Sequence, residues 1–156
     1  SMPGGRLDAT DRRILAELQA RGDLPNAELA RRVGLSPAPC LRRVRALEEA
    51  GFLTGCHAVL DAGRLGYGVQ VFAQVRLKSQ AEADLRAFEA LAQGWPLVRE
   101  CHMLNGEVDF LLRCVAPDLP SFQRFLTESL TPAPNVASVR TSLVIRSAKE
   151  APLVPL

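Results

Sequence analysis

Histidine, tryptophan and tyrosine are scarce in this 156-residue chain, with two, one and one copies respectively. His57 and His102 cannot build a histidine-rich pocket. The Cys101-His102 pair has no third ligand at useful spacing, and neighbouring residues of a strand face opposite sides. No metal site is expected. The four cysteines, Cys40, Cys56, Cys101 and Cys114, contain no CxxC pair, which excludes a zinc knuckle and a thioredoxin-like motif. Their apolar surroundings read as buried, reduced thiols. Trp95 and Tyr67 lie outside any basic cluster and read as packing residues rather than stacking platforms. No apolar run approaches the ~18–20 residues that a membrane helix needs. Ser1-Met2-Pro3-Gly4-Gly5 lacks the apolar core of a secretion signal, and Ser1 ahead of Met2 reads as a tag remnant. A cytoplasmic protein without membrane contact is the expectation.

Excess charge is also scarce, at +2 overall, but it is unevenly placed. Residues 1–60 hold nine arginines and seven acids, whereas residues 61–156 hold ten basic and ten acidic residues. Within residues 29–47 there are five arginines and no acid. This stretch is punctuated as two short helices and a tight turn. Gly34 can end the first helix in the left-handed conformation. Ser36 can cap the second, and Pro37 then stands at its first helical position, where a missing N–H costs nothing. A compact basic helix pair is what is needed to lay one helix in the major groove of double-stranded DNA.

The remaining periodicities supply the context. Asp8 or Thr10 can cap a first helix with Ile14, Leu15 and Leu18 at helical spacing. Asn26 can cap a second, with Leu29, Ala30 and Val33 inward. The third runs from Pro37 to about Ala50, with Cys40, Leu41, Val44 and Leu47 inward, and Gly51 ends it. Phe52–Leu60 is β-prone and reads as a small strand or wing. Asp61–Gly66 is a turn-rich hinge. Tyr67–Leu77 alternates as a strand, and 81–92 is an amphipathic helix with Leu85, Phe88 and Leu91 in its stripe. Strands at Val98–Leu104 and Phe110–Val115 flank a short loop. A helix over Leu119–Leu130 and a strand over Val136–Ile145 complete a β-α-β-β-α-β order, the ferredoxin-like split unit. The fold class is α+β: a three-helix, winged helix-turn-helix domain over 7–60 (motif 26–45), a hinge over 61–66, a ferredoxin-like domain over 67–146 and a tail over 147–156.

This order resembles the Lrp/AsnC family of transcriptional regulators. The resemblance rests on Leu7-Asp8 with Asp11 and Ile14-Leu15, on Val33-Gly34-Leu35-Ser36-Pro37, Cys40-Leu41-Arg42-Arg43-Val44, Leu47-Glu48 and Gly51-Phe52, and further on at Glu100-Cys101-His102 and Gly106-Glu107-Val108-Asp109. It covers residues 7–146. It implies a homodimer that assembles further, into an octamer or a related ring, through the C-terminal domain. It also implies a small-molecule effector, an amino acid, bound between dimers, and no catalytic residue. Met103, Leu104, Asn105, Gly106, Glu107 and Asp109 would line the effector pocket, with Leu119, Ser142, Leu143 and Val144 nearby. Glu107 replaces an Asp common in the family, and Ser142 an aromatic residue of some relatives.

The residues themselves add roles. Ser36, Ala38, Pro39, Arg42, Arg43 and Arg45 fall largely away from the Cys40–Val44–Leu47 stripe. Ser36 and the helix N-terminus suit a phosphate. Arg42 and Arg43 reach farthest, to phosphate or to guanine edges. Arg31 and Arg32 end the preceding helix and suit the DNA backbone. Arg45 is the arginine most open to pairing with an acid inside the module. The plainer reading is that these arginines solvate an exposed face or pair with Glu28, Glu48 and Glu49. In the 105–109 loop, exposed amides beside Gly106 can receive a carboxylate, and Asp109 can accept an ammonium group. The plainer reading there is a hairpin turn whose Asp caps its own loop. A competing function, an Lrp-like siroheme decarboxylase acting on a tetrapyrrole, lacks a histidine-rich pocket here.

Overall fold

The computed structural model describes residues 6–156; the readings of Ser1–Gly5 as tag and non-signal lie outside the described residues. The chain forms two compact units. One comprises residues up to Leu60 together with Lys149–Leu156, the other Asp61–Ala148.

The first unit is helical: α1 (Ala9–Ala20), α2 (Asn26–Val33) and α3 (Pro37–Glu49). Asp8 opens α1 through a capping box, its carboxylate accepting from Asp11 N–H at 2.7 Å while the Asp11 carboxylate accepts from Asp8 N–H at 3.2 Å. Two orphan donors of the first turn are thereby satisfied. Gly34 ends α2 at φ 73°, and Leu35 N–H donates back to the Ala30 carbonyl at 2.9 Å. The left-handed position is open to glycine without steric cost. Ile14, Leu29, Ala30, Val33, Cys40 and Leu47 form the buried core.

Four local expectations change. Asn26 does not cap α2; Pro25 occupies that position, and the Asn26 amide donates to the Pro37 carbonyl at 2.9 Å, joining the starts of α2 and α3. Leu41 faces outward, 37% exposed, because it stands about 100° around the helix from Cys40. Phe52–Leu60 holds no strand, because a strand needs a hydrogen-bonding neighbour and none of the described residues supplies one. Cys56, in this segment, is exposed rather than buried.

The end of the chain belongs to the same unit. Gln19 Nε2 donates to the Val154 carbonyl at 2.8 Å, and Val154 N–H donates to Gln19 Oε1 at 3.1 Å. Val154 and Leu156 line a groove of about 550 Å³ with Leu15, Leu18 and Leu53.

The second unit begins with the turn at Asp61–Gly66, where Tyr67 N–H reaches the Ala62 carbonyl at 2.8 Å and Gly66 sits at φ 87°. Four antiparallel strands follow, β1 (Val69–Leu77), β2 (Val98–Met103), β3 (Phe110–Ala116) and β4 (Val136–Leu143), in the order β2-β3-β1-β4. The helices are α4 (Glu82–Gln93) and α5 (Leu119–Phe125). The continuous helix expected over 119–130 instead widens into a π-helical turn at Leu126–Leu130. Leu130 is fully buried there.

Strand alternation puts Val71, Ala73, Val75 and Leu77 on the helix-covered face, against Phe110, Leu112 and Cys114. Phe88 stacks on Phe110 at 4.8 Å, and Trp95 meets Phe88 and Phe125 edge-on at 5.9 and 5.5 Å. Trp95 is thus a packing residue. Burial pushes the Cys101 and Cys114 thiols up to about 11, so both stay protonated and inert at neutral pH. Asn135, at φ 70°, clamps the start of β4 to β1: its side chain accepts from Ser79 N–H and donates to the Ser79 carbonyl, at 2.8 and 2.9 Å.

Candidate nucleic-acid interface and effector surface

Helical geometry sorts the residues of α3. At about 100° per residue, Ala38, Arg42 and Arg45 fall within a stripe about 60° wide, opposite Cys40 and Leu47. All three are exposed. Arg42 and Arg45 make no hydrogen bond or ion pair with the described residues. Two guanidiniums with five donors each therefore project from the outer face of a rigid helix.

The other arginines of the 29–47 stretch have partners. Arg31 Nη2 and Arg32 Nε both donate to Glu28 Oε1, at 2.7 and 3.0 Å. Hydrogen bonds from these two guanidiniums lower the Glu28 pKa to about 2. Arg32 also reaches Glu17 at 3.1 Å. Such exposed pairs are worth little and can be exchanged for phosphate. Arg43 is placed differently. Its Nη1 donates to Asp8 at 2.6 Å and to Asp11 at 3.1 Å. The Arg43 hydrogen bond, with the Asp11 amide behind it, lowers the Asp8 pKa to about 2. The arginine engaged inside the module is thus Arg43 and not Arg45. Position 43 stands about 100° from Arg42, toward the core stripe.

The N-terminus of α3 is weaker as an anion site than its sequence implies. Ser36 occupies the cap position but makes no side-chain cap bond. A capping oxygen usually takes the second or third amide of the helix, and Pro39 fills the third with no N–H. Pro37 removes the first amide as well. The Ser36 hydroxyl and the Ala38 N–H are what this end can offer a phosphate. Pro39 is half-buried and lines a cleft of about 410 Å³ with Asp8, Asp11, Arg42 and Arg43. Asp8 and Asp11 are legible in the sequence as a cap and as motif residues, but their pairing with Arg43 is not. The readable signal was the wheel position of Arg43, beside the core face that α1 covers.

In the second unit the effector candidates fall into two groups. Met103, Leu104, Asn105, Gly106 and Glu107 are exposed around the β2–β3 turn, with Gly106 at φ 131°. Asp109 is largely committed. Its Oδ2 accepts from Leu77 N–H at 2.6 Å, closing the end of β1 rather than its own loop. Leu119 and Leu143 line a separate cleft of about 420 Å³ with Val71, Phe122 and Thr141. Ser142 lies opposite Phe72, on the face away from the helices, and Val144 N–H donates to the Gln70 carbonyl at 2.8 Å. Phe110, next to the loop, pairs with Val75, whereas Leu143 pairs with Val71. Four residues of β1 separate the groups by about 13 Å along the strand, so one chain does not bring them together.

The helix-free face of the sheet carries Phe72, which is 37% exposed. It also carries a polar cluster in which Glu100 accepts from Arg113 at 2.8 Å and meets His102 Nε2 at 3.0 Å. Arg113, then His102, holds the Glu100 carboxyl below its ordinary range. No group of three or more metal-ligating side chains exists among the described residues.

A helix-turn-helix with a bare arginine stripe, joined to a ferredoxin-like domain, defines a two-domain DNA-binding regulator. Residues 7–54 match the winged helix-turn-helix DNA-binding family, and residues 70–154 match the Lrp/AsnC ligand binding domain. The chain is 56% identical, over 93% of its length and 93% of the relative's, to a leucine-responsive regulatory protein of Rhizobium meliloti (strain 1021). A leucine-responsive regulatory protein of Escherichia coli (strain K12) is 40% identical, over 95% of this chain and 90% of that one. Among solved structures, a transcriptional regulator of Neisseria meningitidis in complex with L-Met superposes with a TM-score of 0.90 at 38% identity, covering 96% and 97% of the two chains. The protein belongs to the Lrp/AsnC family of transcriptional regulators. The α+β class and the helix-turn-helix order read from the sequence are those of the family's structures.

Proposed function

We propose that α3 reads double-stranded DNA from the major groove, with Arg42 and Arg45 as its principal contacts and Ala38 at the closest approach. The observation that carries this reading is the stripe of bare guanidiniums opposite the core face of the helix. Ser36 takes a phosphate through its uncommitted hydroxyl. Pro39 packs at the groove edge, and Arg31 and Arg32 exchange Glu28 for backbone phosphates. Arg42 reaches base edges, where a bidentate contact to guanine is worth about 1–3 kcal/mol.

The effector is an aliphatic amino acid. A leucine-responsive relative and an L-Met complex of a neighbour support that class. The site forms between copies of the chain, because the 103–109 loop and the Leu119–Ser142–Leu143–Val144 group stand apart within one chain. Loop amides beside Gly106 meet the carboxylate, and Glu107 or the unspent Asp109 oxygen meets the ammonium group. A second copy covers the sheet face around Phe72, giving a homodimer that assembles further, to an octamer or a related ring. Residues 7–60 form the reading domain, 61–66 the hinge and 67–146 the sensing and assembly domain. The protein works in the cytoplasm and carries no catalytic site or cofactor. No helix among the described residues is long and apolar enough to cross a membrane.

The test is fluorescence anisotropy on a duplex selected from a randomised library by the wild-type protein. Arg42→Ala lowers affinity by about 1–3 kcal/mol and reduces the salt slope by about one if it meets phosphate. Unchanged affinity overturns the assignment of α3. Sedimentation with L-leucine and L-methionine tests the effector site, where a distribution insensitive to both, together with unchanged DNA affinity, rules it out.

A further inference from the structure

The Arg43 guanidinium touches neither the outer stripe of α3 nor open solvent alone; it bridges α3 to the start of α1. Both of its partners belong to the capping box that opens α1. Asp11 is 5% exposed and is the buried charged residue of the described chain. A buried carboxylate is retained only when paired and hydrogen-bonded, and Arg43 supplies that pairing. Ile14 of α1 and Cys40 and Leu47 of α3 lie in one buried core, which Leu29, Ala30 and Val33 of α2 share.

We infer that Arg43 is a positioning residue, which sets the angle at which α3 presents Arg42 and Arg45, and that Asp8 and Asp11 are its working partners. This rests on α3 being the reading helix. The reasoning is geometric. Apolar contacts are non-directional, so the core shared with α1 and α2 restrains rotation of α3 about its axis less sharply than a directional polar contact does, and the Asn26–Pro37 bond acts only at its first turn. A charge-assisted contact at one wheel position, in which Arg43 Nη1 donates to both Asp8 and Asp11, adds that directional restraint. A rotation of 20° carries a side-chain tip about 10 Å from the axis through about 3.5 Å, more than a bidentate base contact tolerates.

The charge argument separates this role from DNA contact. Asp11→Asn makes the reading domain more positive by one charge. If electrostatics alone governed, binding to every duplex would tighten. If Arg43 positions α3, Asp11→Asn weakens binding to the selected duplex in spite of the added charge. The experiment compares wild type, Asp11→Asn, Arg43→Gln, Arg43→Lys, the Asp11→Asn/Arg43→Gln double variant and Arg42→Gln. The probes are the duplex selected by the wild type and a scrambled duplex of equal length and composition, each titrated over a salt series.

Asp11→Asn and Arg43→Gln each weaken the selected duplex about ten-fold, and the double variant loses no more than either alone, because the three groups form one network. Affinity for the scrambled duplex is unchanged or higher with Asp11→Asn. Arg43→Gln keeps the wild-type salt slope, whereas Arg42→Gln weakens the selected duplex and lowers the slope by about one where it meets phosphate. Circular dichroism checks folding; if Arg43→Gln unfolds the domain, Arg43→Lys and Asp11→Asn carry the comparison. A slope lowered by Arg43→Gln, tighter binding of both duplexes by Asp11→Asn, or unchanged affinity in all position-43 and position-11 variants overturns the positioning role. If Arg42→Gln also leaves affinity and slope untouched, α3 is not the reading helix and both assignments fall.

Discussion

The two units of the chain are stabilised in different ways. Among the described residues, thirteen buried side chains form the core between the sheet and its helices, including a run of aromatic contacts, whereas six form the core of the three helices. The helical unit makes up part of the difference with charge. Arg43 holds Asp8 and Asp11, Arg32 holds Glu17 and Glu28, and Arg13 donates to the Arg32 carbonyl at 2.7 Å. Small cores are marginal, and exposed ion pairs add little each. A helical unit built this way can yield locally while the sheet unit stays folded.

The comparison can be broken most decisively in the sheet. Phe110→Ala removes a fully buried ring from the centre of the larger core and should cost about 3–5 kcal/mol. Denaturant unfolding followed by amide exchange should show lost protection in β1 and β3 and unchanged protection in α3. Equal loss in both would mean that the units unfold as one.

Acid should act in the other direction. Asp8 and Glu28 have folded-state pKa values of about 2, against ordinary values of 3.8 and 4.5. Their depressed values stabilise the fold above the ordinary values, and that contribution is lost as pH falls from about 4.5 toward 2. The denaturation midpoint of the helical unit should therefore be flat from pH 8 to 5 and fall across the acid window, whereas that of Asp8→Asn/Glu28→Gln, lower at neutral pH, should change less there. A parallel decline of wild type and variant would assign the acid response to other carboxylates.

The smallest expected effect is at Gln19. Gln19→Ala removes both hydrogen bonds to Val154, at about 0.5–1.5 kcal/mol for such a contact. Carboxypeptidase should release the C-terminal residues faster from the variant, while the melting of the sheet stays where it was. Equal release rates would show that the apolar groove alone holds the tail.

Much of this fold was legible because its signals are local. The glycine at 34, the proline at 37 and the alternation along β1 each name a conformation from a few adjacent residues. What stayed hidden depends on partners distant in sequence. The Arg43 contact spans more than thirty positions, and Asp109, just before β3, serves the neighbouring strand β1 at a similar distance in sequence. Asn26 looked like a cap because its type suits one, yet it found the Pro37 carbonyl instead. Phe52–Leu60 has strand composition, but composition supplies no neighbour. Cys56 was misplaced for the same reason: burial is set by what packs against a segment. The arginine run was visible as charge, and only the fold could divide it into bare and engaged side chains.

Residues 149–156 return to the helical unit after the sheet is complete. In terms of construction, the sensing domain is an insert with two splice points, at 60/61 and at 148/149, rather than a C-terminal appendage. The span matched to the ligand-binding family ends at residue 154 and so crosses the second splice point. A chimera cut at that limit would carry Val154 away from Gln19 and replace a piece of the reading domain along with the sensor. Exchanging residues 61–148 alone would keep the reader whole.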